Sequence, residues 1–190
     1  MVNSAIYTLA LCEPLSISDP DEMQVFALSG FLHDIGKSQL PESLLHKAGK
    51  LDSSEWTLMR QHSLLGYNML VGISDLLAAV ADAARSHHER MEGGGYPDGL
   101  AGQDIPFPAR VAGVVDVFNA LINETPFRKR MTSFDAIALM RDGMKGQFDP
   151  DVLKALVVAI APARPGDLPL TTRSNSGRDR AASLRVVDLR

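Results

Sequence analysis

FLHDIGK, residues 31–37, sets a histidine beside an aspartate and follows them with a glycine and a lysine, directly after an apolar run. Upstream, Asp19, Pro20 and Glu22 read as the N-cap, first and third positions of a helix that runs through Phe31. His33 and Asp34 therefore sit at the end of that helix. Asp52 with Glu55 forms a second capping box, and the face that follows, Trp56, Met59, Gly66 and Met69, carries His62. Ser74 caps a third helix, in which Leu77, Val80 and Ala84 lead at helical spacing to His87 and His88. Residues 92–108 hold too many glycines and prolines for a regular element and read as a loop. A fourth helix spans about Ala109 to Asn123, with Asp116 amid Val114, Val115, Val117, Phe118 and Leu121. Thr132 with Asp135, and Asp149 with Pro150, open two more helices that end near Ile160. No period-2 strand stands out, so the fold class is all-α.

With 190 residues, 45% of them hydrophobic, the chain is long enough for one core and too short for two full-sized domains. Residues 1–161 read as that domain; residues 162–190 read as a polar, Arg-rich tail unable to order itself. The tail carries six Arg and three Asp, net +3, which leaves 13 basic and 20 acidic side chains, net -7, in the body. So acidic a body argues against DNA or RNA binding by phosphate neutralisation. A single cysteine, Cys12, forms no internal disulfide and suits a reduced cytoplasmic setting. Apolar runs such as 155–161 fall far short of the roughly 20 residues of a membrane span.

Four of the five histidines, His33, His62, His87 and His88, lie at helix ends or on apolar faces, as do Asp34 and Asp116. Imidazole nitrogen with carboxylate oxygen is a ligand set for Mn, Fe, Ni, Co or Zn, whereas Ca and Mg favour oxygen alone. The number of groups suffices for two metals. Each residue also has a plainer reading. A lone His62 is more often a hydrogen-bonded core histidine, and Asp116 is equally a partner in a salt bridge or cap. Adjacent His87 and His88 both need polar partners if buried. His46, within HKAGK, reads as exposed.

FLHDIGK, then His62, then HHERMEGGGYPDGL at 87–100, closely resemble the HD-GYP domain. The match continues through IPFPARVAGVVDVFNAL at 105–121, PFRKRMT at 126–132 and FDPDVLKAL at 148–156. The resemblance implies an HD-superfamily helical bundle around a centre of two or three divalent metals, Fe or Mn foremost, with Ni, Co or Zn as alternatives. It implies hydrolysis of the bacterial messenger cyclic di-GMP to pGpG and onward to GMP. Carried over by motif, the ligands are His33, Asp34, His62, His87, His88 and Asp116, with Asp34 bridging. Lys37, one turn after His33, would hold a phosphate oxygen. Gly95, Tyr96 and Pro97 of the GYP loop, with Arg110, Arg128 and Lys129, would contact the nucleotide, the glycines letting backbone approach it closely. Candidate partners are diguanylate cyclase (GGDEF) domains, an upstream sensory or receiver domain and a second copy of the chain.

The sequence departs from the family pattern at several points. A further upstream histidine ligand would fall at or before Met1, which marks the domain as N-terminally incomplete. Asn119 stands where a second acid is frequent, and Thr125 where an arginine is frequent. Met91 replaces a tryptophan and Gly94 a serine, which implies less stacking surface and a looser loop. These departures support an alternative reading, an impaired module serving as a nucleotide sensor or protein-interaction platform.

Overall fold

The computed structural model describes residues 1–124 and 129–161. Helix α1, Val2–Ala10, precedes α2, Pro20–Leu32, and a 3-10 turn, Ile35–Gln39, carries the chain past His33 and Asp34. A short α3, Glu42–Leu45, leads to α4, Ser53–Leu70, and α5, Asp75–Ser86. A long loop with one 3-10 turn, Gly102–Asp104, separates these from α6, Phe107–Ile122. Helix α7, Ser133–Ala138, runs into a π-helical turn, Leu139–Gly143, and α8 is Pro150–Ile160. No strand occurs among the described residues, and the fold is the all-α bundle expected. Met1–Ala159 forms one compact unit; residues 162–190, read as a polar tail, lie outside the described residues. No helix among the described residues is long and apolar enough to cross a membrane.

The caps account for where these helices start. Asp19 accepts from the backbone N–H groups of Asp21 and Glu22, and Ser74 accepts from that of Leu77. At α4 the capping box is complete, with Asp52 and Glu55 each bonding the other's backbone. Helix α1 was not legible in advance because Met1, at its N-cap, provides no side-chain bond. Helix α6 starts at Phe107, before the expected Ala109. Pro108 falls within the first turn, whose N–H groups have no intrahelical partner, so the ring costs no hydrogen bond there.

Helix α2 packs on α1, α5 and α6, while α4 packs on α5 and on the turn after α2. One core cluster joins Leu70, Val80, Ala81 and Ala84 with Val25, Leu28, Leu32 and Ile35. Phe26, Phe118 and Val115 are fully buried, and each contributes about 1.5–3 kcal/mol. The buried stripe of α4 is His62, Ser63, Gly66 and Leu70. Trp56 and Met69, assigned to that face from sequence, are exposed at 50% and 36%.

Two glycines bring together the elements that carry the histidines and Asp116. A Cβ on Gly36 would lie 2.0 Å from the His62 carbonyl oxygen and 2.4 Å from the Gly66 nitrogen. One on Gly113 of α6 would lie 2.5 Å from the His87 carbonyl oxygen. Backbone cannot withdraw from such contacts, so only glycine fits.

Candidate metal centre

Three histidine rings are oriented by their own helices. His33, His62 and His87 each place Nδ1 against the carbonyl three residues earlier, Gly30 at 3.0 Å, Met59 at 2.7 Å and Ala84 at 2.9 Å. A carbonyl only accepts, so Nδ1 carries a proton in each, and His62 and His87, which burial keeps neutral, present a bare Nε2 lone pair. His88 is held differently, with its ring stacked on Tyr96 at 4.6 Å and beside His87 at 4.0 Å.

The Nε2 atoms converge. His62 Nε2 lies 3.4 Å from His87 Nε2 and 3.2 Å from His88 Nε2. Ligands on one cation with a metal–nitrogen bond of about 2.0–2.1 Å stand about 3.0–3.4 Å apart. Asp34, His62, His87 and His88 form one group with ligand atoms within 4.8 Å of one another, and His33, Asp34 and Asp116 form a second. Asp34 belongs to both. Its Oδ1 is 3.3 Å from His62 Nε2, and its Oδ2 is 3.5 Å from His33 Nε2. Asp116 Oδ1 is 3.5 Å from the same His33 nitrogen. Asp34 Oδ1 is buried and accepts no hydrogen bond. A buried carboxylate oxygen without a donor, facing imidazole nitrogens, suits a cation.

Protonation states agree with a ligand set at His62, His87, His88, Asp34 and Asp116. Burial pushes His62 down; burial and the neighbouring His33 push His87 down to about 3; burial and His87 push His88 down further. Against the desolvation that burial imposes, His33 and Lys37 hold Asp34 below the ordinary carboxylate range. Asp116 is likewise held down by hydrogen bonding to His33 and by the charges of His33 and His87, outweighing burial. For His33 burial lowers the value, but the bond to Asp116 and the charges of Asp34 and Asp116 win and raise it.

The GYP loop lies over His88, and the Tyr96 N–H donates to the His88 carbonyl at 3.4 Å. Buried Glu89 accepts at Oε1 from the backbone N–H groups of Asp98 and Gly99, at 2.8 and 3.0 Å. Arg85 grips Asp98 with two bonds of 2.7 and 2.8 Å. Gly95 is required by this packing: a Cβ there would lie 2.4 Å from the Glu89 Cα. The close approach is to the chain's own backbone, at Glu89 and the His88 carbonyl. Pro97 is exposed, and burial raises the Tyr96 hydroxyl's pKa well above its ordinary value.

The other expected nucleotide contacts differ in their surroundings. Lys37 donates to Asp34 Oδ2 at 2.6 Å and is at the edge of the cluster. Arg110 is committed to Asp149 at 2.5 Å in a nearly buried ion pair beside Phe107. Lys129 is exposed, and Arg128 and Thr125 lie outside the described residues. Asn119 donates to Ser4 of α1 at 3.3 Å. Met91 packs against Ala83, Ile105 and Ala109. Gly94 has a φ of +77° with open space around it. His46 is exposed, as expected.

A bundle of helices whose imidazoles and carboxylates converge in two groups sharing one aspartate defines a candidate metal-centre protein. The pattern of the HD domain family matches residues 4–152. A cyclic di-GMP phosphodiesterase of Pseudomonas aeruginosa is 39% identical over 170 residues, covering 90% of this chain and 40% of that protein. A 3'3'-cGAMP-specific phosphodiesterase of Vibrio cholerae is 35% identical over 156 residues, covering 82% of this chain and 34% of that protein. Among solved structures, an HD-G"Y"P protein from Bdellovibrio bacteriovorus shares the fold, with a TM-score of 0.67 at 21% identity over 82% of this chain and 49% of that one. The chain belongs to the HD domain family and, through FLHDIGK and the GYP loop, to its HD-GYP type. It spans well under half the length of these curated relatives.

Proposed function

We propose that this domain is a metal-dependent phosphodiesterase that opens cyclic di-GMP to the linear dinucleotide pGpG. The observation that carries the reading is the convergence of the Nε2 atoms of His62, His87 and His88 beside Asp34, which belongs as well to a second group with His33 and Asp116. The names of the relatives favour the substrate. His62, His87, His88 and Asp34 Oδ1 would hold one divalent ion, and His33, Asp116 and Asp34 Oδ2 another, with Fe or Mn suited to this mixed nitrogen and oxygen set. When bound, such ions supply Lewis-acid polarisation of the phosphodiester and a hydroxide nucleophile near neutral pH.

The chain's own residues do the rest. The carbonyls of Gly30, Met59 and Ala84 keep three imidazoles in the one tautomer that can ligate. Lys37, with its side chain 40% exposed, presents a charge to a phosphate oxygen at the mouth of the cluster and restrains Asp34. Tyr96 offers a ring edge to the nucleotide while its other contact fixes His88.

Metal content per chain after anaerobic purification, followed by chromatography of products from cyclic di-GMP with added Mn or Fe(II), tests the proposal. About two metals per chain and accumulating pGpG are expected. Metal-replete protein that leaves cyclic di-GMP intact would overturn the substrate; if it opens 3'3'-cGAMP instead, the specificity lies with the other group of relatives.

A further inference from the structure

The cations around the cluster and its loop are mostly committed to partners. Lys37 bonds Asp34, Arg85 bonds Asp98 and Arg110 bonds Asp149. Arg90 donates through Nη1 to the carbonyls of His87 and Glu89. Arg60 stands apart. It is exposed, it has no ion pair among the described residues, and its guanidinium lies over the Tyr96 ring, 5.0 Å from the centroid. Tyr96 in turn stacks on His88. Arg60 is thus one aromatic ring removed from the converging nitrogens.

A guanidinium lying over a ring keeps its N–H donors at its edge, free to take two oxygens of one phosphate. A cyclic dinucleotide has two phosphodiester groups in one ring. When one occupies the His/Asp cluster, the second anion must lie nearby, against a body whose net charge of -7 repels it. We propose that Arg60 is a substrate-binding residue that grips the phosphate not being cleaved, with Tyr96 as the platform that aims it. This rests on the phosphodiesterase reading above.

The experiment compares wild type, Arg60→Ala and Arg60→Lys on cyclic di-GMP and on bis(p-nitrophenyl) phosphate, which has a single phosphodiester, with metal content measured on each sample. Arg60→Ala should raise KM for cyclic di-GMP about 10- to 100-fold and leave turnover of the small substrate within about twofold. Arg60→Lys should recover only part of the loss, because an ammonium lacks the fork. An unaltered KM for cyclic di-GMP, or an equal loss on both substrates, would overturn the assignment while the wild-type activity still upholds the substrate reading. Wild type that cleaves the small substrate yet neither cleaves nor binds cyclic di-GMP in equilibrium dialysis would overturn the substrate reading, and this inference with it. Binding without cleavage moves the comparison to dialysis, where equal affinity of wild type and Arg60→Ala overturns the role of Arg60 and a tenfold loss upholds it.

Discussion

His33, His62 and His87 are each anchored by a bond within their own helix, whereas His88 is held by a ring that reaches it from a loop. The first arrangement is local in sequence and rigid, because an i−3 carbonyl moves with the ring it orients. The second depends on Glu89 and Arg85, which fasten the GYP loop from outside it. One side of the cluster therefore withstands loosening of its neighbours. The other transmits it.

The largest expected effect is at the residue both groups share. Asp34→Ala should reduce hydrolysis of cyclic di-GMP below about 0.1% of wild type, a barrier increase of about 4 kcal/mol, with helical circular dichroism unchanged. Wild-type turnover in that variant would break the view that the two groups act as one centre. Gly36→Ala comes next. Its methyl would meet backbone at His62 and Gly66, so thermal unfolding should show a loss of about 3 kcal/mol, and an unaltered Tm would mean the close approach is not needed.

Glu89→Ala sharpens the contrast. It frees the backbone N–H groups of Asp98 and Gly99, loosens Tyr96 over His88, and should lower metal affinity or kcat/KM about 10- to 100-fold. Glu89→Gln, which keeps an acceptor oxygen, should restore most of the loss. Full activity in Glu89→Ala would show that His88 does not depend on the loop. The smallest effect is expected at Arg85→Ala. The Arg85–Asp98 pair is part-exposed, so its removal should cost about 0.2–1 kcal/mol in thermal unfolding, and less at high salt. A loss of metal affinity or kcat/KM in Arg85→Ala as large as that of Glu89→Ala would place the loop's main fastening there.

The six residues of the candidate centre were legible because each breaks a local rule: a polar group on an apolar helical face or at its end, as His62 and Asp116 do. The helix starts at α2, α4 and α5 were legible for a similar reason, since capping bonds span only two or three residues. The ion pair of Arg110 was not legible because its partner Asp149 is 39 residues away. Arg60 gave no signal at all, since an arginine on an exposed helical face looks solvated until the loop carrying Tyr96 is laid beside it. Glu89 was read only as part of a motif, although its buried carboxylate fastens the loop.

By itself the sequence determined which side chains bear the chemistry and on which helices they sit, because periodicity and capping act over a few residues along one chain direction. The tertiary structure decided how far apart those side chains are. Gly36 against His62 and Gly113 against His87 are backbone contacts between separate elements, and only such contacts set Nε2 atoms 3.2–3.4 Å apart. Distances between elements follow from the packing of the whole core, which no local pattern encodes.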